Sequence, residues 1–217
     1  FLYYCEYFES QMPINTIQKS TKKDIKKFQR YNELLLEIKD IYDKADLNDE
    51  RVRVFCQPVF NTKTNKFRTA EALMRLELPG FGMVFPDQFI PILEEQNFMH
   101  VFSKIILNKT CREIKRLEEE GYLVDAISVN FSVQELQMDD FCDSIISIIK
   151  DNNVESRKIA IELTESRNEK DFIMMKKVLT LLKSQGIKFY LDDFGSGYSN
   201  FNCLLQLPFQ IIKLDTC

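Results

Sequence analysis

With a single histidine, His100, and six cysteines that form no C-x-x-C pair, the sequence is poor in the ligands that a zinc site needs. His100 itself is expected to be a surface or hydrogen-bonded histidine. Cys5, Cys56, Cys111, Cys142, Cys203 and Cys217 also lack the spacing of a secreted disulfide scaffold, so reduced and mostly buried thiols are expected. Positive charge is not in surplus: 29 Lys+Arg stand against 33 Asp+Glu, a formal net charge of -4, which leaves no global field to attract a DNA or RNA polymer or an anionic membrane. Any phosphate ligand must therefore be held locally. Apolar runs are short. Ile145, Ile146, Ile148 and Ile149, interrupted by Ser147, fall far below a membrane span, and the first residues lack the plan of a signal peptide. A soluble, cytoplasmic domain is expected, with room for a membrane-anchored parent.

What the sequence does have is an ordinary globular content of 45% apolar residues. An aromatic cluster, Phe1, Tyr3, Tyr4, Tyr7 and Phe8, opens the chain without an initiator Met, which suggests a piece of a longer polypeptide. From Asp24 to Asp46 the apolar residues Phe28, Tyr31, Leu34, Leu35, Ile38, Ile41 and Tyr42 recur at threes and fours, predicting one amphipathic helix that links two domains. Its Lys22, Lys23, Lys26, Lys27 run reads as a solvated face. From Arg51 onward, short apolar runs alternate with longer periodic segments, the rhythm of βα units. Strands are predicted over Val52 to Val59, Phe67 to Met74, Ala126 to Asn130, Lys158 to Leu163, Lys188 to Asp192 and Gln210 to Leu214. Helices are predicted over Met99 to Glu120, Val133 to Asp151 and Glu169 to Gln185, with a short one near Pro86 to Glu94. Gly121 and Gly186 stand where helices should stop. The fold class is α/β, a (β/α) barrel.

In such barrels the chemistry sits where the strands end, because their loops converge there. Glu71, Asn130, Glu162, Asp192 with Asp193, and Lys213 occupy those ends. Asn130 to Glu162 and Glu162 to Asp192 are each roughly thirty residues apart, about one βα unit, so these groups should arrive at one end of neighbouring strands. Singly, each has a duller reading as a cap or a rim residue. Together, several carboxylates in one mouth would repel one another unless cations neutralised them, and all-oxygen ligands suit Mg²⁺ or Mn²⁺.

The residues now resemble a known family. Gln57-Pro58, Glu71-Ala72-Leu73 with Arg75, Pro86 with Phe89-Ile90-Pro91, Val129-Asn130-Phe131-Ser132, Glu162-Leu163-Thr164-Glu165-Ser166, Asp192-Asp193-Phe194-Gly195-Ser196-Gly197-Tyr198-Ser199 and Lys213-Leu214-Asp215 together resemble the EAL domain. Met74, Leu76 and Phe131 depart from the family's usual residues without removing a charge. The resemblance implies a TIM-like (β/α) barrel over residues 51–217 that lacks its last two βα units, preceded over residues 1–50 by a helical linker or the tail of a signalling domain, a degenerate GGDEF domain being one candidate. It implies hydrolysis of cyclic di-GMP to linear pGpG with two Mg²⁺ or Mn²⁺ ions. The alternative is a c-di-GMP receptor or regulatory module that does not cut, and feeble or no turnover is expected of this chain alone. By the same resemblance Glu71, Asn130, Glu162, Asp192 and Asp193 hold metal, with Glu71, Asp193 and Lys213 taking part in catalysis and Lys213 holding the attacking water. Gln57, Leu73 and Arg75 contact the dinucleotide, and Glu165 braces the loop after Asp193. A homodimer through this domain and an upstream sensory or GGDEF-like domain are the partners implied.

Overall fold

The computed structural model describes residues 22–164, 169–194 and 206–214. Helix α1 (Lys22–Lys44) leads into an antiparallel pair, β1 (Val52–Asn61) and β2 (Lys66–Leu78), followed by the short β3 (Gly82–Val84). Helices α2 (Pro86–Glu95) and α3 (Met99–Glu119) precede β4 (Ala126–Asn130). Then come α4 (Phe141–Asp151), β5 (Ile159–Thr164), α5 (Glu169–Ser184), β6 (Lys188–Phe194) and β7 (Ile211–Leu214). The strand order is β1-β2-β4-β5-β6-β7, with β3 beside the far end of β2. Strands β2, β4, β5, β6 and β7 run parallel. This is an α/β architecture of the (β/α) type, with a sheet that stays open between β1 and β7 among the described residues.

The structure adds to or departs from the predicted elements in three places. The first two strands, predicted with no helix between them, form a hairpin: Asn61 accepts the amides of Lys63 and Thr64, and Asn65 adopts a left-handed φ of 54°, so the chain reverses within a few residues. Strand β3 has no counterpart in the predicted set, being too short to show a period. The helix predicted over Val133 to Asp151 is split into a single 3₁₀ turn, Glu135–Gln137, and α4 from Phe141. Ser132 causes the split. Its hydroxyl accepts the Glu135 amide while the Glu135 carboxylate takes the Ser132 amide and hydroxyl, a reciprocal cap that satisfies the first turn locally. Gly121 and Gly186 do terminate α3 and α5 in the left-handed region, at φ 86° and 94°.

Alternation along the strands divides the sheet into two chemically different faces, because successive side chains point to opposite sides. On one face Ala72, Leu76, Ile127, Val129, Ile159, Ile161, Leu163, Phe189 and Leu191 are all buried, and α3, α4 and α5 cover them. Cys111 sits in this core, its thiol pushed up to about 12 by burial; Cys56, Cys111 and Cys142 are free. Asn108 stitches the helix layer to its connections: it donates to the Leu47 carbonyl and accepts from Asn152, which also reaches the Ile148 carbonyl.

Helix α1 is packed into the same core through Leu34, Ile38 and Ile41, the last two at 0% exposure. Tyr31 donates to Glu95, Tyr42 stacks on Phe98 at 4.0 Å, and half-buried His100 meets the Tyr42 ring edge-on. Arg51, at the root of β1, pairs with Glu37 and Asp40 of α1 and with Asp49. No helix of the described residues is long and apolar enough to cross a membrane.

Two outcomes follow from this docking. Ile38→Ala should cost about 2–5 kcal/mol, the usual loss for a fully buried aliphatic, in urea denaturation of the chain; a loss near zero would mean that α1 hangs free. The Arg51 guanidinium, bonded to Asp49, holds that carboxyl below its ordinary value. As pH falls, the unfolded chain therefore takes up the proton first, and the stability present above the unfolded value of about 3.9 drains away as pH drops through the lower folded one. Urea midpoints should accordingly fall less steeply below about pH 4 in Asp49→Asn than in the parent.

Candidate metal centre

Residues paired directly across a sheet share a face. Gln57 pairs with Glu71, Glu71 with Ser128, Asn130 with Glu162, and Glu162 with Tyr190. Continuing by twos, Leu73 and Arg75 lie with Glu71, Asp192 with Tyr190, and Lys213 with Ile211, the partner of Tyr190. The whole polar set thus stands on the face turned away from α3, α4 and α5. Asn130, Glu162, Asp192 and Lys213 are within two residues of their strand ends. Glu71 is not at the end of β2, which runs on to Leu78; it lies near the end of the stretch that pairs with β4, beyond which β3 takes over.

One carboxylate oxygen each from Glu71, Glu162 and Asp192 falls within 4.8 Å of the others. The Lys213 ammonium donates to Glu71 Oε2 at 2.7 Å and Glu162 Oε2 at 2.8 Å, and lies 3.3 Å from Asp192 Oδ1. Asn130 Nδ2 donates to the second oxygen of Glu71 at 2.9 Å. Glu162 is 2% exposed, and that burial raises its carboxyl pKa above the ordinary range; neighbouring Glu71 adds to the rise, while Lys213 and Ser128 oppose it. Burial also works against the Lys213 ammonium, but the bonds to Glu162 and Glu71 outweigh it and hold its pKa above that of a free lysine. One ammonium against three carboxylates leaves an excess of two negative charges if all are ionised. Oxygen donors this close together, already gathered on a cation and still short of positive charge, fit a hard divalent ion such as Mg²⁺ or Mn²⁺.

Asp193 stands apart from this trio. Consecutive strand residues should face opposite ways, yet from Leu191 to Phe194 three steps along β6 match the two from Ile212 to Leu214 on β7. The extra residue is a bulge, and Asp193 carries it with a left-handed φ of 53°. The bulge leaves Asp193 exposed at the strand end instead of packed among the helices. Of the residues expected to contact the dinucleotide, Gln57 is exposed and Leu73 half-buried. Half-buried Arg75 donates to the Met74 carbonyl and lies 5.6 Å from the Phe85 ring centroid. Glu165 and the Gly195–Ser199 motif lie outside the described residues. Sequence reasoning overlooked Ser128 and Tyr190, both buried on the polar face; Tyr190 is pushed up to about 12 by burial, with Glu162 contributing. Period-two alternation back from Asn130 and Asp192 would have found them.

The sequence model of the EAL domain matches residues 41–216. The chain belongs to the EAL domain family. It is 29% identical over 169 residues to the signaling protein YkoW of Bacillus subtilis, covering 78% of this chain. It is 30% identical over 145 residues to the bifunctional diguanylate cyclase/cyclic di-GMP phosphodiesterase MucR of Pseudomonas aeruginosa, covering 67% of this chain. The chain spans 21% of the length of each of these proteins. Among solved structures, the PaMucR phosphodiesterase in complex with c-di-GMP superposes with a TM-score of 0.72 at 26% identity, over 82% of this chain and 72% of that one. The match begins inside α1, in accord with the burial of Ile41.

The left-handed backbone at Asp193 gives a direct test of the bulge. Asp193→Val should be less stable than Asp193→Gly by about 1–2 kcal/mol in urea denaturation, the cost of a β-carbon at positive φ. Equal stability of the two variants would remove the bulge from the account.

Proposed function

We propose that this domain hydrolyses cyclic di-GMP to linear pGpG in the cytoplasm, as the catalytic part of a longer signalling protein. The observation that carries this reading is the convergence of Glu71, Glu162 and Asp192, from three different strands, on one cation position within 4.8 Å. Likeness to MucR supports the substrate. Glu71, Asn130, Glu162 and Asp192 would hold one Mg²⁺ or Mn²⁺, and Asp193, exposed at the bulge, would help to hold a second. When bound, such ions supply charge neutralisation and Lewis acidity for an anionic, poorly electrophilic phosphodiester.

The chain's own residues do the rest. Gln57, Leu73 and Arg75, on the same face as Glu71, offer the dinucleotide a polar edge, an apolar contact and a guanidinium that can fork onto phosphate or a guanine edge. Lys213, which bridges Glu71 and Glu162 when no metal is bound, would hold and orient the water that approaches phosphorus. Water gives its oxygen to phosphorus, the bond from phosphorus to the 3′ oxygen breaks, and that oxygen takes up a proton, so one of the two diester links opens to a 5′-phosphate and a 3′-hydroxyl. On this reading residues 51–217 are the EAL domain, residues 1–50 link it to an upstream sensory or GGDEF-like domain, Glu165 braces the loop after Asp193, and two copies associate through the domain.

A second reading, a c-di-GMP receptor that binds without cutting, is favoured by one observation: an ammonium already neutralises part of the carboxylate set. Chromatographic detection of pGpG from c-di-GMP, with and without Mn²⁺, separates the two. In the longer signalling protein the expected result is Mn²⁺-dependent cleavage that falls about a hundred-fold or more in Glu71→Ala, through loss of a metal ligand. Tight c-di-GMP binding without any pGpG would establish the receptor instead, and unchanged turnover in Glu71→Ala would defeat the metal assignment.

A further inference from the structure

We infer that the Lys213 ammonium is an internal counter-ion occupying the metal position, and that loading of a divalent cation requires Lys213 to withdraw from Glu71, Glu162 and Asp192. This inference rests on the metal-centre reading above and adds to it a regulation of that centre. The argument is geometric. The three oxygens lie within 4.8 Å of one another, and Nζ is 2.7, 2.8 and 3.3 Å from carboxylate oxygens of the same three residues. The ammonium therefore lies close to the middle of the group. A Mg²⁺ ion takes its oxygens at about 2.0–2.1 Å, so an ion sharing these oxygens would come well inside the separation that a directly bonded ammonium keeps from its acceptors. Both cations cannot hold the same oxygens at once.

The chemistry of the two occupants also differs in a way that favours exchange. Lys213 brings one charge to three carboxylates, whereas a divalent ion brings two, and the half-buried setting strengthens that difference. The lysine stem is flexible and its head strongly hydrated, so it can leave the cluster while β7 stays paired with β6. In the metal-free chain the ammonium prevents mutual repulsion from splaying β2, β5 and β6; in the loaded chain it becomes available to a water or a phosphate oxygen beside the ions. Divalent-ion affinity is thus set partly by what Lys213 gives up, and the domain stays folded and idle when ions are scarce.

The test measures metal binding rather than turnover. Mn²⁺ is titrated calorimetrically into the parent chain, Lys213→Met, Lys213→Gln and Glu71→Gln, each checked for folding by circular dichroism. Both Lys213 variants should bind Mn²⁺ at least about ten-fold more tightly than the parent, since even a solvent-screened charge at contact distance from a divalent ion is worth that much. Glu71→Gln should lose binding. In the parent chain carrying ¹³Cε-labelled lysine, the resonance absent from Lys213→Gln should move towards that of a solvated lysine on saturation with Mg²⁺. Equal or weaker Mn²⁺ affinity in both folded Lys213 variants overturns the inference, as does a Lys213 resonance that stays put while Mg²⁺ binds. Absence of Mn²⁺ binding in every variant removes the metal centre itself. Tightened Mn²⁺ binding in a chain that neither binds nor cleaves c-di-GMP supports the displacement and defeats only the phosphodiesterase reading.

Discussion

Negative charge held against a sheet is the constraint around which this domain is arranged. Glu162 is almost wholly buried, and Glu71 and Asp192 stand beside it, so three carboxylates share a volume that water can only partly screen. Left alone, such a group would take up protons or push its strands apart. The Lys213 ammonium and the Asn130 amide answer part of that need within the chain. What they leave unanswered, two negative charges when all three carboxylates are ionised, is what would draw a divalent ion to the site. Stability and chemistry therefore draw on the same imbalance.

The rest of the fold keeps that imbalance in place. Apolar residues of one parity are buried under α3, α4 and α5, which fixes the other parity, and with it every polar residue of the site, on the opposite face. Burial on the helical side supplies the free energy that the polar side does not. Helix α1 extends the same core, and its pairing with Arg51 secures the root of β1, the strand that sets Gln57 opposite Glu71. The β6 bulge is the one place where parity is broken. There the backbone accepts a left-handed residue so that two successive aspartates can both stay out of the apolar layer.

Much of this was legible in the amino-acid sequence because the parallel strands are short apolar runs that end in a polar residue. Ala126 to Asn130 was read to the residue, and β5 and β6 to within two. The convergence of Glu162, Asp192 and Lys213 follows from strand ends, whereas Glu71 lies inside β2, near the end only of the stretch that pairs with β4. What could not be read depended on pairing partners. An antiparallel hairpin and a βα unit begin with the same apolar texture, and only the Asn61 turn, a local hydrogen-bonding event, distinguishes them. The Ser132 cap interrupts a helical pattern whose apolar period carries no sign of a break. The bulge is invisible because Asp192-Asp193 reads equally well as a strand end or as the start of a loop. Ser128 carries no such mark, because it stands inside the apolar run of β4 two places before its polar end.

The bond between Lys213 and Glu71 joins residues 142 positions apart, and four strand-to-strand registers lie between them. Closing so long a span costs little more entropy than closing one half its length, because the cost grows only logarithmically. The demand is on register instead. A slip of one residue at any of the four interfaces would turn an apolar residue towards the carboxylates and bury a charge among the helices, so errors do not average out along the sheet. The site is accordingly a property of the whole run from β2 to β7. Its three carboxylates meet only when every intervening strand is paired as observed, and their joint hold on one cation is in turn a tie across those strands.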